Sequence, residues 1–94
     1  MKLKLANNII DIIGDVDRFN LNDNKVFDFP TRTTDVFIEL ANMTSVDTAG
    51  LAFLLKMIAF YQNKSLTVTL LSPSKQLIAL AEISNVLGLL PLKE

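Results

Sequence analysis

The sequence predicts an α/β fold in which a small mixed β-sheet carries helices packed mainly on one face. A short run of apolar, branched and aromatic residues, Val36–Leu40, is typical of a buried strand. Between Leu51 and Ile58 the apolar residues recur at positions i, i+3, i+4 and i+7, which is the spacing of an amphipathic helix. A second strand-like run, Leu66–Leu71, follows. Strand, helix and strand in this order predict a βαβ unit with two parallel strands.

The N-terminal part of the chain predicts a hairpin followed by an irregular segment. Alternating lysine and leucine over residues 2–5, the turn-forming pair Asn7-Asn8 and the apolar run Ile9–Ile13 indicate two antiparallel strands. Residues 18–24 are polar and rich in Asn and Asp, so we expect a loop with at most a short helix. The alternating run Val26–Phe29 fits either an extended stretch or part of such a helix.

Both predicted helices have a favourable residue at the N-terminal end. Asp47 is a preferred N-cap residue, whose carboxylate is expected to accept a backbone NH from residue 49 or 50. Thr48 then takes the first helical position, and the helix is expected to run to about Gln62. Ser74 is expected to cap a second helix that continues to about Ser84.

Composition limits the functions that the chain can have. With 94 residues it is long enough for one domain, residues 1–94, and too short for two cores. The net charge is -1 and the basic residues are scattered, so no nucleic-acid footprint is expected. The chain has no Cys and no His, which removes thiol chemistry and the usual general base. We therefore expect no catalysis, no cofactor and no metal site.

Hydropathy indicates a protein that is not inserted in a membrane but has a partner. The longest apolar run, residues 49–61, is interrupted by Lys56 and is shorter than the ~20 residues that a membrane span needs. The N-terminus lacks the continuous apolar stretch of a signal peptide, so we expect a cytoplasmic protein. Half of the residues are hydrophobic and mean hydropathy is +0.37. We expect a partner to cover part of that apolar surface.

The segment from Ile38 to Leu51 resembles the signature of the STAS domain family, the family of anti-sigma-factor antagonists. In that family an apolar strand leads through a short loop to Asp-Ser/Thr-x-Gly-Leu, which Asp47–Leu51 matches here. Residues 14–17, Gly-Asp-Val-Asp, are similar to the Gly-Glu/Asp-Leu-Asp turn of the family. The resemblance implies the STAS fold over most of the chain. It also implies a first helix between Arg18 and Phe29, where the present sequence is only weakly helical.

Within the family, residues 46–55 are most similar to the MlaB subfamily, the STAS subunits of the Mla phospholipid-transport ABC complex. This likeness implies a non-enzymatic cytoplasmic subunit that binds and supports an MlaF-like ATPase. The complex includes a permease and maintains outer-membrane lipid asymmetry, so the subunit would be peripherally associated with the inner membrane. The alternative is an anti-sigma-factor antagonist that a partner kinase phosphorylates at Thr48. A small hydrolase or metal-dependent enzyme is disfavoured because His, Cys and a glycine-rich phosphate loop are absent.

The resemblance, together with the excess of apolar residues on the long helix, predicts a partner-binding surface at the start of that helix and along a stripe beside it. Its residues are Asp47, Thr48, Ala49, Gly50, Phe53, Lys56 and Met57. Without the resemblance, Thr48 is an ordinary first-turn hydroxyl and Asp47 a helix cap, while Gly50 allows another backbone to come close. Phe53, Met57 and Phe60 have two interpretations that the sequence leaves open. They either pack against the last helix and the C-terminal leucines, or form an exposed docking patch.

Overall fold

The computed structural model describes residues 1–93, in which a five-stranded mixed sheet packs against two α-helices. The strands are β1 (Lys2–Ala6), β2 (Ile9–Val16), β3 (Val36–Glu39), β4 (Met43–Val46) and β5 (Val68–Leu71). The helices are α1 (Thr48–Gln62) and α2 (Lys75–Ile83), and there are short 3-10 helices at Asn24–Phe27 and Leu87–Leu89.

The sheet contains both antiparallel and parallel pairs, as predicted. β1 is antiparallel to β2, and Asn7 in the turn between them has a positive φ of 49°. β2 runs parallel to β3, and β3 runs parallel to β5 with Ile38 opposite Leu70. The predicted βαβ unit is therefore confirmed in its strand direction. A Leu70–Leu92 bridge adds the C-terminal segment beside β5.

Only one side of each central strand is fully buried. This burial pattern shows that the helices lie mainly on one face of the sheet. Ile10, Ile38 and Leu70 are adjacent in the sheet and each is 0% exposed. Their chain neighbours Ile9 and Phe37, which point to the other face, are exposed and half-buried respectively. The buried face forms one core together with the inner sides of α1 and α2.

A fourth strand replaces the loop that we expected between the central strand and α1. β4 pairs in parallel with the end of β2, with Val16 opposite Val46, after a register shift between Gly14 and Asp15. This pairing also extends β2 beyond the predicted end at Ile13. β4 has only four residues, and two of them are the polar pair Thr44-Ser45. β4 forms because β2 supplies hydrogen-bond partners for its backbone. No local sequence pattern indicates this pairing.

The segment between β2 and β3 contains a 3-10 helix, Asn24–Phe27, as its one helical element. This agrees with the loop and short helix expected from composition, and the full first helix implied by the family resemblance does not form within it. Its aromatic residues instead pack on α1. The Phe27 and Phe29 rings lie 5.8 and 5.6 Å from the ring of Phe53. The Tyr61 hydroxyl donates a hydrogen bond to the carbonyl oxygen of Pro30 at 2.5 Å.

The aromatic packing corrects part of the predicted binding stripe. Phe53 and Met57 are 0% exposed, so neither side chain is available to a partner in this fold. Of the two interpretations of these residues, packing inside the domain is the one that the structure adopts. Phe60 is half-buried, with its ring 5.4 Å from that of Phe29. The rings that lie against Phe53 and Phe60 come from the segment before β3, a cover that the sequence did not predict.

The second helix and the C-terminal tail follow the sequence prediction closely. The Ser74 hydroxyl oxygen accepts the backbone NH of Leu77 at 3.0 Å, which confirms the predicted N-cap. α2 ends at Ile83, and Asn85 then adopts a positive φ of 59°. Among residues 1–93, no helix is both long and apolar enough to cross a lipid bilayer.

The burial of α1 predicts opposite outcomes for two adjacent substitutions. Phe53→Asp places a carboxylate in the core and leaves a cavity, so it should cost more than about 4 kcal/mol and unfold the domain. Ala52→Asp, on the exposed side of the same helix turn, should change the free energy of unfolding by less than about 1 kcal/mol. Urea denaturation followed by circular dichroism measures both. A folded Phe53→Asp variant of wild-type stability would contradict this account of the core.

Candidate functional site

The candidate site is the N-terminal end of α1, where β4 ends and the helix begins without an intervening loop. Asp47 has an extended backbone and acts as the N-cap, as predicted. Its Oδ1 atom accepts the backbone NH of Gly50 at 2.9 Å. A carboxylate in this position satisfies one of the free NH groups of the first turn and interacts favourably with the helix dipole.

The second carboxylate oxygen of Asp47 holds a distant part of the chain. Oδ2 accepts the backbone NH of Arg18, in the loop after β2, at 3.0 Å. Burial by itself would raise the pKa of Asp47. The backbone NH groups of Arg18, Gly50 and Ala49, together with the Arg18 charge, outweigh burial and hold the pKa of Asp47 below its usual value of 3.8. Both oxygens of this carboxylate are therefore engaged within the domain.

Gly50 is the point of closest approach between α1 and the sheet. A Cβ atom on Gly50 would overlap the carbonyl oxygen of Val16 and would lie 2.8 Å from Cγ2 of Val46. The expectation that Gly50 admits another backbone is confirmed, and the backbone that it admits is the end of β2. Any larger residue would push α1 away from β2.

Thr48 occupies the first position of α1, as predicted, and its side chain is exposed. Ala52 and Lys56 follow at intervals of four residues and are exposed too, so the three side chains form one line along the helix. We call this line the α1 ridge. The Lys56 ammonium lies 4.7 Å from the centre of the Phe27 ring, which holds its aliphatic stem against the domain.

The structure thus divides the predicted site residues into two groups. The first group serves the fold: Asp47 caps the helix, and Gly50, Phe53 and Met57 pack inside the domain. Ala49 is half-buried. Thr48 and Lys56 are the predicted site residues that remain exposed, and Ala52 joins them although the sequence analysis did not select it. A helical projection of α1 places Ala52 opposite Leu54 and Met57, on the side away from the core.

Two residues beside the start of α1 were not predicted from the sequence. Arg18 and Phe19 belong to the loop after β2, 29 and 28 positions before Asp47 in the chain, and the Arg18–Asp47 hydrogen bond brings them to this end of the domain. Phe19 is 72% exposed. Phe19 and Leu21 are the two apolar residues of this polar loop, and that pattern does not indicate where the loop lies in the fold.

A second carboxylate supports the β2–β4 pair close to the site. Oδ1 of Asp15 accepts hydrogen bonds from the hydroxyls of Thr44 and Ser45, at 2.5 and 2.9 Å. These two bonds hold the pKa of Asp15 below its usual range. Asp17 accepts the backbone NH groups of Phe19 and Asn20. The acidic residues that the sequence places around the turn after β2 therefore serve as internal hydrogen-bond acceptors.

The cap predicts a pH-dependent contribution to stability. Because the folded-state pKa of Asp47 is depressed, its contribution is fully present above 3.8 and is lost as pH falls through the folded-state value. Asp47→Asn keeps one oxygen to cap Gly50, and it removes the charge and the acceptor of the Arg18 NH. The wild type should therefore exceed the variant in free energy of unfolding at pH 7, and the difference should shrink towards about pH 2.5. Urea titrations at both pH values test this, and a difference independent of pH would contradict it.

Two glycine substitutions test the contact between α1 and β2. Gly50→Ala forces the helix away from Val16 and should cost about 3 kcal/mol or more. Gly88→Ala is the matched control, because a Cβ there has no atom within 4 Å. It should change the free energy of unfolding by less than about 1 kcal/mol. Thermal denaturation of the two variants compares them, and equal melting temperatures would refute the contact.

A family model described as the STAS domain matches residues 5–94, whereas a search of curated proteins finds no match. The NMR structure of the protein TM1081 is similar with a TM-score of 0.69 and 15% identity, over 98% of this chain and 78% of that one. The anti-sigma factor antagonist SpoIIAA in its unphosphorylated form is similar with a TM-score of 0.59 and 16% identity, over 99% and 86%. The two solved structures share the fold, and the family match spans nearly the whole sequence. This chain belongs to the STAS domain family.

Proposed function

We propose that this domain is a non-enzymatic binding module that recognises a partner protein through the α1 ridge, with Thr48 at the contact. The observation that carries the proposal is the division of roles at the start of α1. Asp47 and Gly50 are engaged in holding the helix to the sheet, while Thr48, between them in the chain, is exposed. A hydroxyl held at the end of a capped helix has a defined position, and it can both donate and accept a hydrogen bond.

The partner that we propose first is the ATPase subunit of an inner-membrane phospholipid ABC transporter, in a complex with its permease. The support is the likeness of residues 46–55 to the MlaB subfamily, which includes Thr48 and Ala52 of the ridge. In this role the domain supports the assembly and activity of the ATPase. The domain is then cytoplasmic and associates with the inner membrane through the complex. Thr48 acts as a packing and hydrogen-bonding contact.

The second candidate is an anti-sigma-factor antagonist whose partner is a kinase that phosphorylates Thr48. Two observations favour it: the Thr48 side chain is exposed, and the fold is similar to that of the antagonist SpoIIAA. A phosphate would add about -1.5 to -2 charges next to the Asp47 carboxylate. The first turn of α1 tolerates that charge because of the helix dipole, while a partner surface adapted to a neutral hydroxyl is repelled. Phosphorylation would then act as a release switch.

The two candidates disagree on the effect of removing the hydroxyl. If Thr48 is a contact, Thr48→Ala should weaken binding by about 1 to 3 kcal/mol, because a buried partner group loses its hydrogen bond. Thr48→Ser should be mild in that case. If Thr48 is a phosphorylation switch, Thr48→Ala should keep or strengthen binding, and Thr48→Glu should abolish it. Isothermal titration with the purified partner measures all three variants.

The control is Thr33→Ala, which removes an exposed hydroxyl in the segment before β3 and should leave affinity unchanged.

The partner itself is obtained by co-purification with the tagged wild-type domain from membrane and cytosolic fractions, followed by mass spectrometry. An ATPase with its permease supports the first candidate and a serine kinase the second. Thr48→Ala binding as tightly as wild type to an ATPase would refute the contact role.

A further inference from the structure

Phe19 differs from the other exposed apolar residues of the domain in its chemistry and its location. The large apolar side chains that are more than a third exposed in residues 1–93 are Leu5, Ile9, Phe19, Ile83 and Leu89. Of these, Phe19 is the aromatic one, and 72% of it is exposed. Isolated exposed apolar side chains are common on protein surfaces and need no explanation by themselves. The hydrogen bonds of the loop around Phe19 distinguish it from the other exposed apolar residues.

The loop that carries Phe19 is held in one conformation by two aspartates. Oδ1 of Asp17 accepts the backbone NH groups of Phe19 and Asn20, both at 3.1 Å, and the Asn20 side-chain amide at 2.8 Å. One residue earlier, the backbone NH of Arg18 donates to the N-cap Asp47 at 3.0 Å. The backbone of this loop is therefore already ordered before any partner binds. An aromatic side chain on such a loop loses little conformational freedom on binding, which favours affinity.

The same hydrogen bond places Phe19 beside Thr48. Arg18 is adjacent to Phe19 in the chain, Thr48 is adjacent to Asp47, and the Arg18–Asp47 bond joins the two pairs. Consecutive Cα atoms are about 3.8 Å apart, so Phe19 and Thr48 lie within reach of a single partner surface. Phe19 and the N-terminal end of the α1 ridge therefore lie at the same end of the domain.

The Arg18 side chain determines what kind of partner this end of the domain fits. Its guanidinium carbon lies 4.9 Å from the centre of the Phe19 ring, in a cation–π contact. A pocket that enclosed the ring would also remove water from this guanidinium. The charge of Arg18 acts on the Asp47 carboxylate, but its guanidinium donates no hydrogen bond within residues 1–93. Removing water from NH donors that lack an acceptor is costly, so the pocket must offer the guanidinium an anionic acceptor. A carboxylate matches the planar NH groups of arginine with two parallel hydrogen bonds.

We propose that Phe19 is the anchor of the partner interface, and that it inserts into an apolar pocket whose rim carries a carboxylate for Arg18. This inference rests on the proposed function, because it describes the same partner. It adds the element of recognition that the α1 ridge lacks. Thr48, Ala52 and Lys56 offer one hydroxyl, one methyl group and one cation, whereas buried aromatic and arginine side chains dominate the energetics of most interfaces.

The test measures the affinity of side-chain variants for the ATPase or kinase recovered by co-purification, by isothermal titration. Phe19→Ala should weaken binding at least 30-fold, while the melting temperature of the free domain stays unchanged because the ring is exposed. Arg18→Gln should weaken binding about tenfold and should reduce its dependence on salt concentration. The backbone NH of Arg18, which bonds Asp47, is retained in this variant.

Ile83→Ala is the matched control. Ile83 is 84% exposed, more than Phe19, but it lies at the C-terminal end of α2. Its removal should change affinity less than twofold. A Phe19→Ala variant that binds within threefold of wild type, or an Ile83→Ala variant that is impaired as much as Phe19→Ala, would overturn the anchor.

The outcomes separate this inference from the proposed function. If Thr48→Ala weakens binding and Phe19→Ala does not, the partner uses the α1 ridge and the anchor is refuted. If Phe19→Ala weakens binding and Thr48→Ala does not, the anchor is supported and the contact role of Thr48 is refuted. If the wild-type domain binds neither an ATPase nor a kinase, both proposals are overturned together.

Discussion

The contact between the first turn of α1 and the end of β2 is the constraint on which the rest of the structure depends. At Gly50 the helix comes so close to the Val16 carbonyl that no side chain fits between them. The N-cap carboxylate reinforces the contact, since Asp47 bonds the helix on one side and the loop after β2 on the other. With the helix start fixed in this way, its inner residues meet the buried face of the sheet, where Phe53 and Leu54 are fully buried.

This constraint also explains why so few residues at the site are free for a partner. Both oxygens of the Asp47 carboxylate accept backbone NH groups of the domain itself, so this side chain holds the fold together. A glycine in backbone contact offers no side chain. Between them, Thr48 is exposed because the first position of a helix that packs on its 50, 53 and 54 side points away from the core. The exposure of Thr48 and the engagement of Asp47 and Gly50 therefore have the same cause, which is the contact between α1 and β2.

The aromatic residues around α1 show how the chain covers the second apolar side of this helix. Phe27 and Phe29 pack against Phe53, and Phe29 also meets Phe60. These contacts cover the second apolar side of the helix with the chain's own segment before β3. The sequence left open whether a partner or the chain itself covers that side, because a surface helix needs only one apolar face. A second apolar side on a helix therefore does not show whether a partner protein or an irregular segment of the same chain covers it.

The sequence by itself determined those features whose cause is local. The period of the apolar residues placed α1, β3 and β5, and capping chemistry placed Asp47 and Ser74 at the starts of the two helices. Only the tertiary structure decided β4, the burial of Phe53 and Met57, and the position of Phe19 beside the helix start. Each of these depends on groups far apart in the chain: β4 on the end of β2, Phe53 on Phe27 and Phe29, and Phe19 on the bond from Arg18 to Asp47. Local periodicity and propensity carry no information about which distant segment supplies a hydrogen-bond partner or a covering ring.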